Sequence, residues 1–142
     1  MPNEVARVTL LVAHALEQMG VPYAVGGSLA SSLHGVIRST LDVDIVADMR
    51  EEHIQPLVAA LSQEFYVDDE MMRDALRRRG SFSLIHYETA FKVDIFIRKM
   101  RPFDQMQLER RKLSVIIADP EQSVYVLSPE DTLLAKLEWY RL

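Results

Sequence analysis

Two aspartates, Asp42 and Asp44, stand two positions apart in the largely apolar segment 41–47. Alternation in this segment predicts a strand whose apolar side chains share one face and whose aspartates share the other. Carboxylates about 7 Å apart along one strand face repel each other unless a cation or a base lies between them. Such hard oxygen ligands suit Mg²⁺ or Mn²⁺. A strand face with both aspartates in water fits the same pattern.

A third aspartate, Asp94, lies in the apolar segment FKVDIFI, residues 91–97. A free charge is rare in such a segment, because burying it without a partner is costly. If this strand neighbours the first, the three carboxylates converge, and such a group can hold two metal ions about 3.5–4 Å apart for phosphoryl or nucleotidyl transfer. The alternative for Asp94 is a surface-facing edge position, or an ion pair with Lys92 or Arg98.

A glycine pair, Gly26 and Gly27, is followed by Ser28 directly after the short apolar segment 23–25. This order predicts a strand, a compact turn and then a helix over residues 29–34. Backbone N–H groups at such a turn, together with the Ser28 hydroxyl, can bind a phosphate, and glycine allows close approach. The segment lacks the Lys-Ser/Thr of a P-loop and the third glycine of a dinucleotide fingerprint. Taken alone, it favours a plain turn.

Periodicity elsewhere predicts the elements that must position these residues. Apolar residues recur at helical spacing from Val5 to Met19, and Gly20 ends this helix. The further predicted elements are helices over 54–65 and 69–79, a hairpin of strands 81–87 and 90–98 around Glu88-Thr89, and strands over 113–118 and 123–127. A last helix has Ser128 as its N-cap and Asp131 at the capping-box position. The pattern over 102–112 does not decide between a helix and a loop. The chain of 142 residues fits one domain. We therefore expect a single α/β (α+β) domain, with a mixed β-sheet flanked by helices on one main face.

The composition excludes several classes of protein. Lys and Arg number 16 against 21 Asp and Glu, a net charge of −5, so nucleic-acid binding through bulk positive charge is not expected, although a local basic patch stays open. The absence of cysteine excludes disulfide scaffolds, Cys-ligated zinc and thiol nucleophiles. The apolar runs fall short of the ~20 residues that span a bilayer, and the N-terminus lacks a signal-peptide layout. We expect a cytoplasmic protein with no membrane partner.

Taken together, these motifs resemble the signature of the DNA polymerase β-like nucleotidyltransferase superfamily. The residues that carry the resemblance are Val25-Gly26-Gly27-Ser28-Leu29-Ala30, Gly35, Arg38, Thr40 and Asp42-Val43-Asp44-Ile45. The superfamily signature joins a hydrophobic residue, Gly, Gly or Ser, a helix, and a hydrophobic-flanked Asp-x-Asp. The form with two glycines and Arg-x-Thr-x-Asp-x-Asp most resembles small bacterial proteins grouped with AbiEii-type toxins. The resemblance runs in order from Tyr23 to Leu137.

The resemblance implies a nucleotidyltransferase fold and a Mg²⁺-dependent (or Mn²⁺-dependent) transfer of a nucleoside monophosphate from an NTP to an acceptor hydroxyl. It implies that Asp42, Asp44 and Asp94 bind the metal ions and that Asp94 can also act as the base toward the acceptor. It implies a nucleotide site formed by Gly26, Gly27, Ser28, Arg38, Thr40 and Lys136. In that site the glycine turn holds the triphosphate, the arginine and threonine contact phosphate or brace the loop, and the lysine meets the nucleotide.

Similar proteins usually continue with further helices, so residues 1–142 are expected to form a nucleotidyltransferase domain without a C-terminal helical extension. The implied acceptors are RNA (particularly a tRNA end), a protein side chain or a small molecule such as an aminoglycoside. A toxin role with an antitoxin partner follows from the resemblance, and a terminal helix ending in Trp-Tyr-Arg-Leu is compatible with a homodimer. Two alternatives stay open. One is a catalytically silent nucleotide-binding or regulatory module, and the other is a metal-dependent phosphodiesterase that uses the same carboxylates.

Overall fold

The computed structural model describes residues 2–26, 42–118, 120–128, 130–131 and 133–134. The first helix, α1 (Pro2–Gln18), has its end where the sequence predicts it. Gly20 adopts a positive φ of 71° there, a conformation that glycine reaches without the strain of a Cβ. The N–H of Val21 then donates to the carbonyl of Leu16 at 2.9 Å. This bond closes the last turn and directs the chain into the sheet.

The remaining described elements follow in the predicted order. They are β1 (Tyr23–Val25), β2 (Asp42–Ala47), a 3₁₀ turn (Glu51–His53), α2 (Ile54–Leu61), β3 (Phe65–Tyr66), α3 (Asp69–Arg78), β4 (Ser81–His86), β5 (Lys92–Ile97), α4 (Pro102–Glu109), β6 (Lys112–Ala118) and β7 (Glu121–Val126). Phe65, which the periodicity places in a helix over 54–65, lies instead in a short strand, because the helix ends at Leu61 and the N–H of Glu64 donates to the Leu61 carbonyl at 3.1 Å. Residues 130–131 and 133–134 are helical, and the N–H of Asp131 donates to Ser128 Oγ at 3.1 Å, so Ser128 caps this helix as predicted. The predicted helix over residues 29–34 lies outside the described residues. No helix in the described ranges is long and apolar enough to cross a membrane.

Helix α3 ends one residue earlier than predicted. Arg79, instead of continuing the helix to Gly80, adopts a left-handed conformation with φ 53°. The N–H of Gly80 donates to the carbonyl of Ala75 at 2.9 Å, which satisfies a carbonyl that the helix end leaves open. The chain turns at this point into β4.

The described strands form one mixed, seven-stranded sheet in the order β3-β4-β5-β2-β1-β7-β6. Strand β2 is parallel to β5, and β1 is parallel to β7. The other neighbouring pairs are antiparallel. The predicted α+β architecture with a mixed sheet is confirmed, and β2 is its central strand.

The two faces of the sheet are covered differently. Helices α1, α2 and α3 pack on one face, where Val43 and Ile45 of β2 join the main hydrophobic core. The opposite face has a smaller apolar cluster of Ala24, Val46, Leu108 and Leu127. Since side chains alternate along a strand, Asp42 and Asp44 lie on this second face with Val46. The thinly covered face therefore carries the aspartates.

An ion pair joins the helical residues 130–131 to the end of α4. Arg110, directly after α4, donates from Nε and Nη2 to the two carboxylate oxygens of Asp131 at 3.1 and 2.5 Å. The Asp131 side chain is only 1% exposed. The sequence predicts Asp131 at the capping-box position, and the structure pairs its carboxylate with Arg110 as well. The hydrogen bonds from Arg110 hold the pKa of the Asp131 carboxyl below its ordinary 3.8, against the desolvation that raises it.

We expect Asp131→Asn to lower the free energy of unfolding at pH 7 by about 1–3 kcal/mol, because a charge-assisted pair becomes a neutral one. The folded-state pKa of Asp131 is depressed, so its stabilisation is present above pH 3.8 and is lost as the pH falls through the lower folded-state pKa. The difference in the free energy of unfolding between wild type and Asp131→Asn should therefore become smaller as the pH falls. Urea unfolding at several pH values measures it.

Asp74→Asn is the matched control, because Asp74 also pairs with arginines but lies on the exposed face of α3. Exposed pairs contribute little in water and salt. An Asp74→Asn effect as large as that of Asp131→Asn at pH 7 would show that burial of the pair is not what stabilises it.

Candidate active site

Three aspartates lie on one face of two neighbouring central strands. Asp44 of β2 and Asp94 of β5 are direct register partners, and Asp42 is the partner of Lys92. Partners on neighbouring strands lie about 4.8 Å apart and present their side chains to the same face. The sequence predicts that the three carboxylates converge on the condition that the two strands are neighbours, and the structure meets that condition. We call Asp42, Asp44 and Asp94 the carboxylate cluster.

The members of the cluster differ in burial. Asp44 is 6% exposed as a residue, whereas the side chains of Asp94 and Asp42 are 16% and 46% exposed. The alternative that both β2 aspartates face open water is therefore wrong for Asp44. The strand is buried on both faces from Val43 to Ala47, as expected for a central strand with a parallel neighbour. The cluster thus extends from a buried inner carboxylate to an accessible outer one.

A serine that the sequence reasoning missed holds Asp94. The Ser83 hydroxyl donates to Asp94 Oδ1 at 2.6 Å, and Ser83 is the register partner of Asp94 across the β4–β5 hairpin. A hydroxyl bound to an ionised carboxylate forms a short, strong hydrogen bond. The predicted turn at Glu88-Thr89 already contains the signal, because centring the hairpin there places residue 83 opposite residue 94.

Lys92 brings a positive charge to the cluster. Its Nζ lies 3.9 Å from Asp42 Oδ2 and 3.9 Å from Asp94 Oδ2. These distances exceed those of hydrogen bonds, so the two contacts are loose ion pairs. Of the two ion-pair partners considered for Asp94, Lys92 is the one found. Arg98 instead lies 3.9 Å from Asp48, beyond the other end of β2.

Gly26 links the predicted phosphate turn to the cluster. Its N–H donates to the carbonyl oxygen of Asp44 at 2.7 Å. A Cβ at this position would lie 3.4 Å from that oxygen and 3.6 Å from the Asp44 Cβ. Gly26, the first residue of the predicted turn, therefore lies directly beside the buried Asp44. The other predicted nucleotide-binding residues, Gly27, Ser28, Arg38, Thr40 and Lys136, lie outside the described residues.

The chemistry of the cluster fits a hard divalent cation. Asp42, Asp44 and Asp94 supply carboxylate oxygens from one sheet face, which are the ligands that Mg²⁺ and Mn²⁺ prefer. In the arrangement observed, no group of three or more Asp, Glu or His side chains in the described ranges is close enough to enclose a metal ion. Among the residues that the structure describes, Lys92 places its ammonium near Asp42 and Asp94.

No protein-family model and no curated protein matches the chain. Solved structures do match it. A candidate nucleotidyltransferase from Thermotoga maritima aligns with 98% of this chain and 86% of its own, at 22% identity and a TM-score of 0.57. A lincosamide antibiotic adenylyltransferase with bound lincomycin aligns with 92% of this chain and 83% of its own, at 20% identity and a TM-score of 0.53.

A CCA-adding enzyme in complex with ATP aligns with 92% of this chain but only 29% of its own, at 21% identity and a TM-score of 0.48. The first two similarities, with the mixed sheet and the flanking helices, establish the fold. The chain has the nucleotidyltransferase fold that the sequence resemblance implies.

We expect Ser83→Ala to lower the free energy of unfolding by about 1–2 kcal/mol, because a largely buried carboxylate loses its hydroxyl donor. In a double-mutant cycle with Asp94→Ala, the two changes should couple by about 1 kcal/mol. Chemical unfolding of the four proteins measures the coupling.

Ser81→Ala is the matched control, since Ser81 lies on the same strand face of β4 but opposite Phe96. It should be additive with Asp94→Ala. Equal coupling for both serines would mean that the cycle reports strand packing instead of the bond from Ser83 to Asp94.

Proposed function

We propose that the chain is a nucleotidyltransferase that moves a nucleoside monophosphate from an NTP to an acceptor hydroxyl, and that residues 1–142 form its catalytic domain. The observation that carries the proposal is the register of β2 with β5. This register places Asp44 beside Asp94 on the thinly covered face of the sheet, next to Gly26 at the end of β1. The nucleotidyltransferase fold supports the same activity.

In this proposal Asp42, Asp44 and Asp94 hold Mg²⁺ or Mn²⁺. The bound ions would neutralise the triphosphate, align the attack and stabilise the leaving pyrophosphate. Asp44, the most buried of the three, is fixed by the central strand and provides a rigid ligand. Asp42 lies at the exposed start of β2 and can approach an incoming nucleotide.

Asp94 is proposed as the general base. Its Oδ1 accepts the hydrogen bond from Ser83, which orients the carboxylate and leaves Oδ2 to accept a proton. The acceptor oxygen would form a bond to the α-phosphorus as the bond to the bridging oxygen of the β-phosphate breaks. The acceptor proton passes to Asp94, and pyrophosphate leaves with the electron pair of the broken bond.

The nucleotide side of the site rests on the resemblance and on Gly26. The N–H of Gly26 donates to the Asp44 carbonyl, so Gly26, the first residue of the predicted turn, lies beside Asp44. We propose that Gly27 and Ser28 bind the triphosphate there. Arg38 and Thr40 would contact phosphate or brace the loop, and Lys136 would meet the nucleotide.

The acceptor is proposed as RNA, a protein side chain or a small molecule, with ATP as the first nucleotide to test. The similarity of the glycine and Asp-x-Asp motifs to AbiEii-type proteins supports a toxin role in the cytoplasm, with an antitoxin as partner. A homodimer is compatible with the same proposal. Each acceptor class predicts a different labelled product, so one experiment can separate them.

We expect Asp44→Asn to reduce nucleotidyl transfer by about 100-fold or more while the protein stays folded, because the amide keeps the shape but not the charge needed to hold a divalent cation. The assay incubates the protein with Mg²⁺ and each α-labelled NTP. Separate reactions receive total RNA, cell protein and a small-molecule fraction, and transfer of label to each is measured.

Asp48→Asn is the control, since Asp48 follows β2 and pairs loosely with Arg98 away from the cluster. It should keep wild-type transfer. Equal transfer by Asp44→Asn and wild type would overturn the mechanism. Mg²⁺-dependent NTP binding by the wild type, without transfer to any acceptor, would support the silent nucleotide-binding module instead.

A further inference from the structure

Lys92 stands out among the described residues because its charge lies between two carboxylates of the cluster. The β2–β5 register sets it directly opposite Asp42. Asp94 lies two positions after Lys92 in β5, so the two side chains share one face of the strand. Both carboxylates lie 3.9 Å from Lys92 Nζ. A single positive charge is thus shared by the two outer members of the cluster.

We propose that Lys92 is an internal counterion, which balances Asp42 and Asp94 in the metal-free protein and is displaced when a divalent cation binds. The inference rests on the proposed function only in taking the carboxylate cluster as the cation site. It assigns to Lys92 a positioning and regulatory role that the motif does not contain.

The charges explain why this lysine favours the metal-free state over the metal-bound state. Without a cation, neighbouring carboxylates repel each other, and an ammonium between them offsets part of that repulsion. A divalent cation at the same carboxylates carries twice the charge of the ammonium and is itself repelled by it. Lys92 therefore stabilises the metal-free protein and weakens the binding of free metal.

The side chain is suited to being displaced. Lys92 is 41% exposed and has a flexible four-carbon stem. Its contacts are too long for hydrogen bonds, so moving the ammonium into water breaks no tight geometry. The negative charge of a nucleotide triphosphate favours binding of the metal ion and also attracts the ammonium that the metal displaces. Metal and nucleotide are therefore expected to bind together more readily than metal alone.

The test compares Mn²⁺ binding, by calorimetry without nucleotide, and thermal stability in wild type and Lys92→Met. We expect Lys92→Met to bind Mn²⁺ about tenfold more tightly, because a repelling charge has gone. We also expect its metal-free Tm to fall by about 2–4 °C, and saturating Mn²⁺ to restore it. Lys92→Arg, which keeps the charge, should behave as wild type.

Lys99→Met is the matched control, since it removes the same charge beyond the far end of β5, and it should leave both values unchanged. Lys92→Gln provides a second neutral variant if Lys92→Met does not fold. The inference is overturned if the neutral Lys92 variants bind Mn²⁺ no more tightly than wild type, or if Lys99→Met tightens binding equally. This test does not measure nucleotidyl transfer, so its outcome is independent of the proposed function. If the neutral Lys92 variants bind Mn²⁺ more tightly but the wild type transfers no nucleotide in the separate assay, the counterion role is supported and the proposed function is refuted.

Discussion

The parallel pairing of β2 with β5 decides where each carboxylate of the candidate site lies. Its register sets Asp44 against Asp94 and Asp42 against Lys92. Side chains alternate along a strand, so a slip of one residue in this pairing would turn an aspartate away from its partners and toward the main core. The apolar neighbours prevent the slip, because Val43 and Ile45 are buried under the helices on the opposite face. Packing on one face thus fixes the geometry of the chemistry on the other.

The unequal cover of the two sheet faces lets one small domain combine stability with a charged site. Helices α1 to α3 shield one face, whereas the other has a small apolar cluster near α4 and leaves the start of β2 accessible. Grouping carboxylates there is unfavourable without compensation. Ser83 donates to one of them, and Lys92 shares its charge between two. Rigid central strands hold the group in place, as a preorganised site requires.

Local sequence patterns predict several of these elements and one of the contacts at the candidate site. Helical spacing located α1, and Gly20 ended it. The hairpin turn at Glu88-Thr89 fixed the β4–β5 register, which sets Ser83 against Asp94. These features depend on a few consecutive residues, so periodicity and turn chemistry predict them. The roles of Gly27, Ser28, Arg38, Thr40 and Lys136 remain predictions from the resemblance.

By itself, the sequence determined most of the elements, their order, the mixed sheet and the three aspartates that could share a cation. It did not predict β3, because Phe65 also fits the apolar face of the preceding helix. Only the tertiary structure decided that β5 pairs with β2, that Asp44 is buried, and that Lys92 lies between two carboxylates. The tertiary structure also paired Asp131 with Arg110, which is 21 positions away in the chain. The physical reason is that local patterns record the preferences of neighbouring residues. Burial and charge pairing depend instead on which distant strands and helices meet when the core forms.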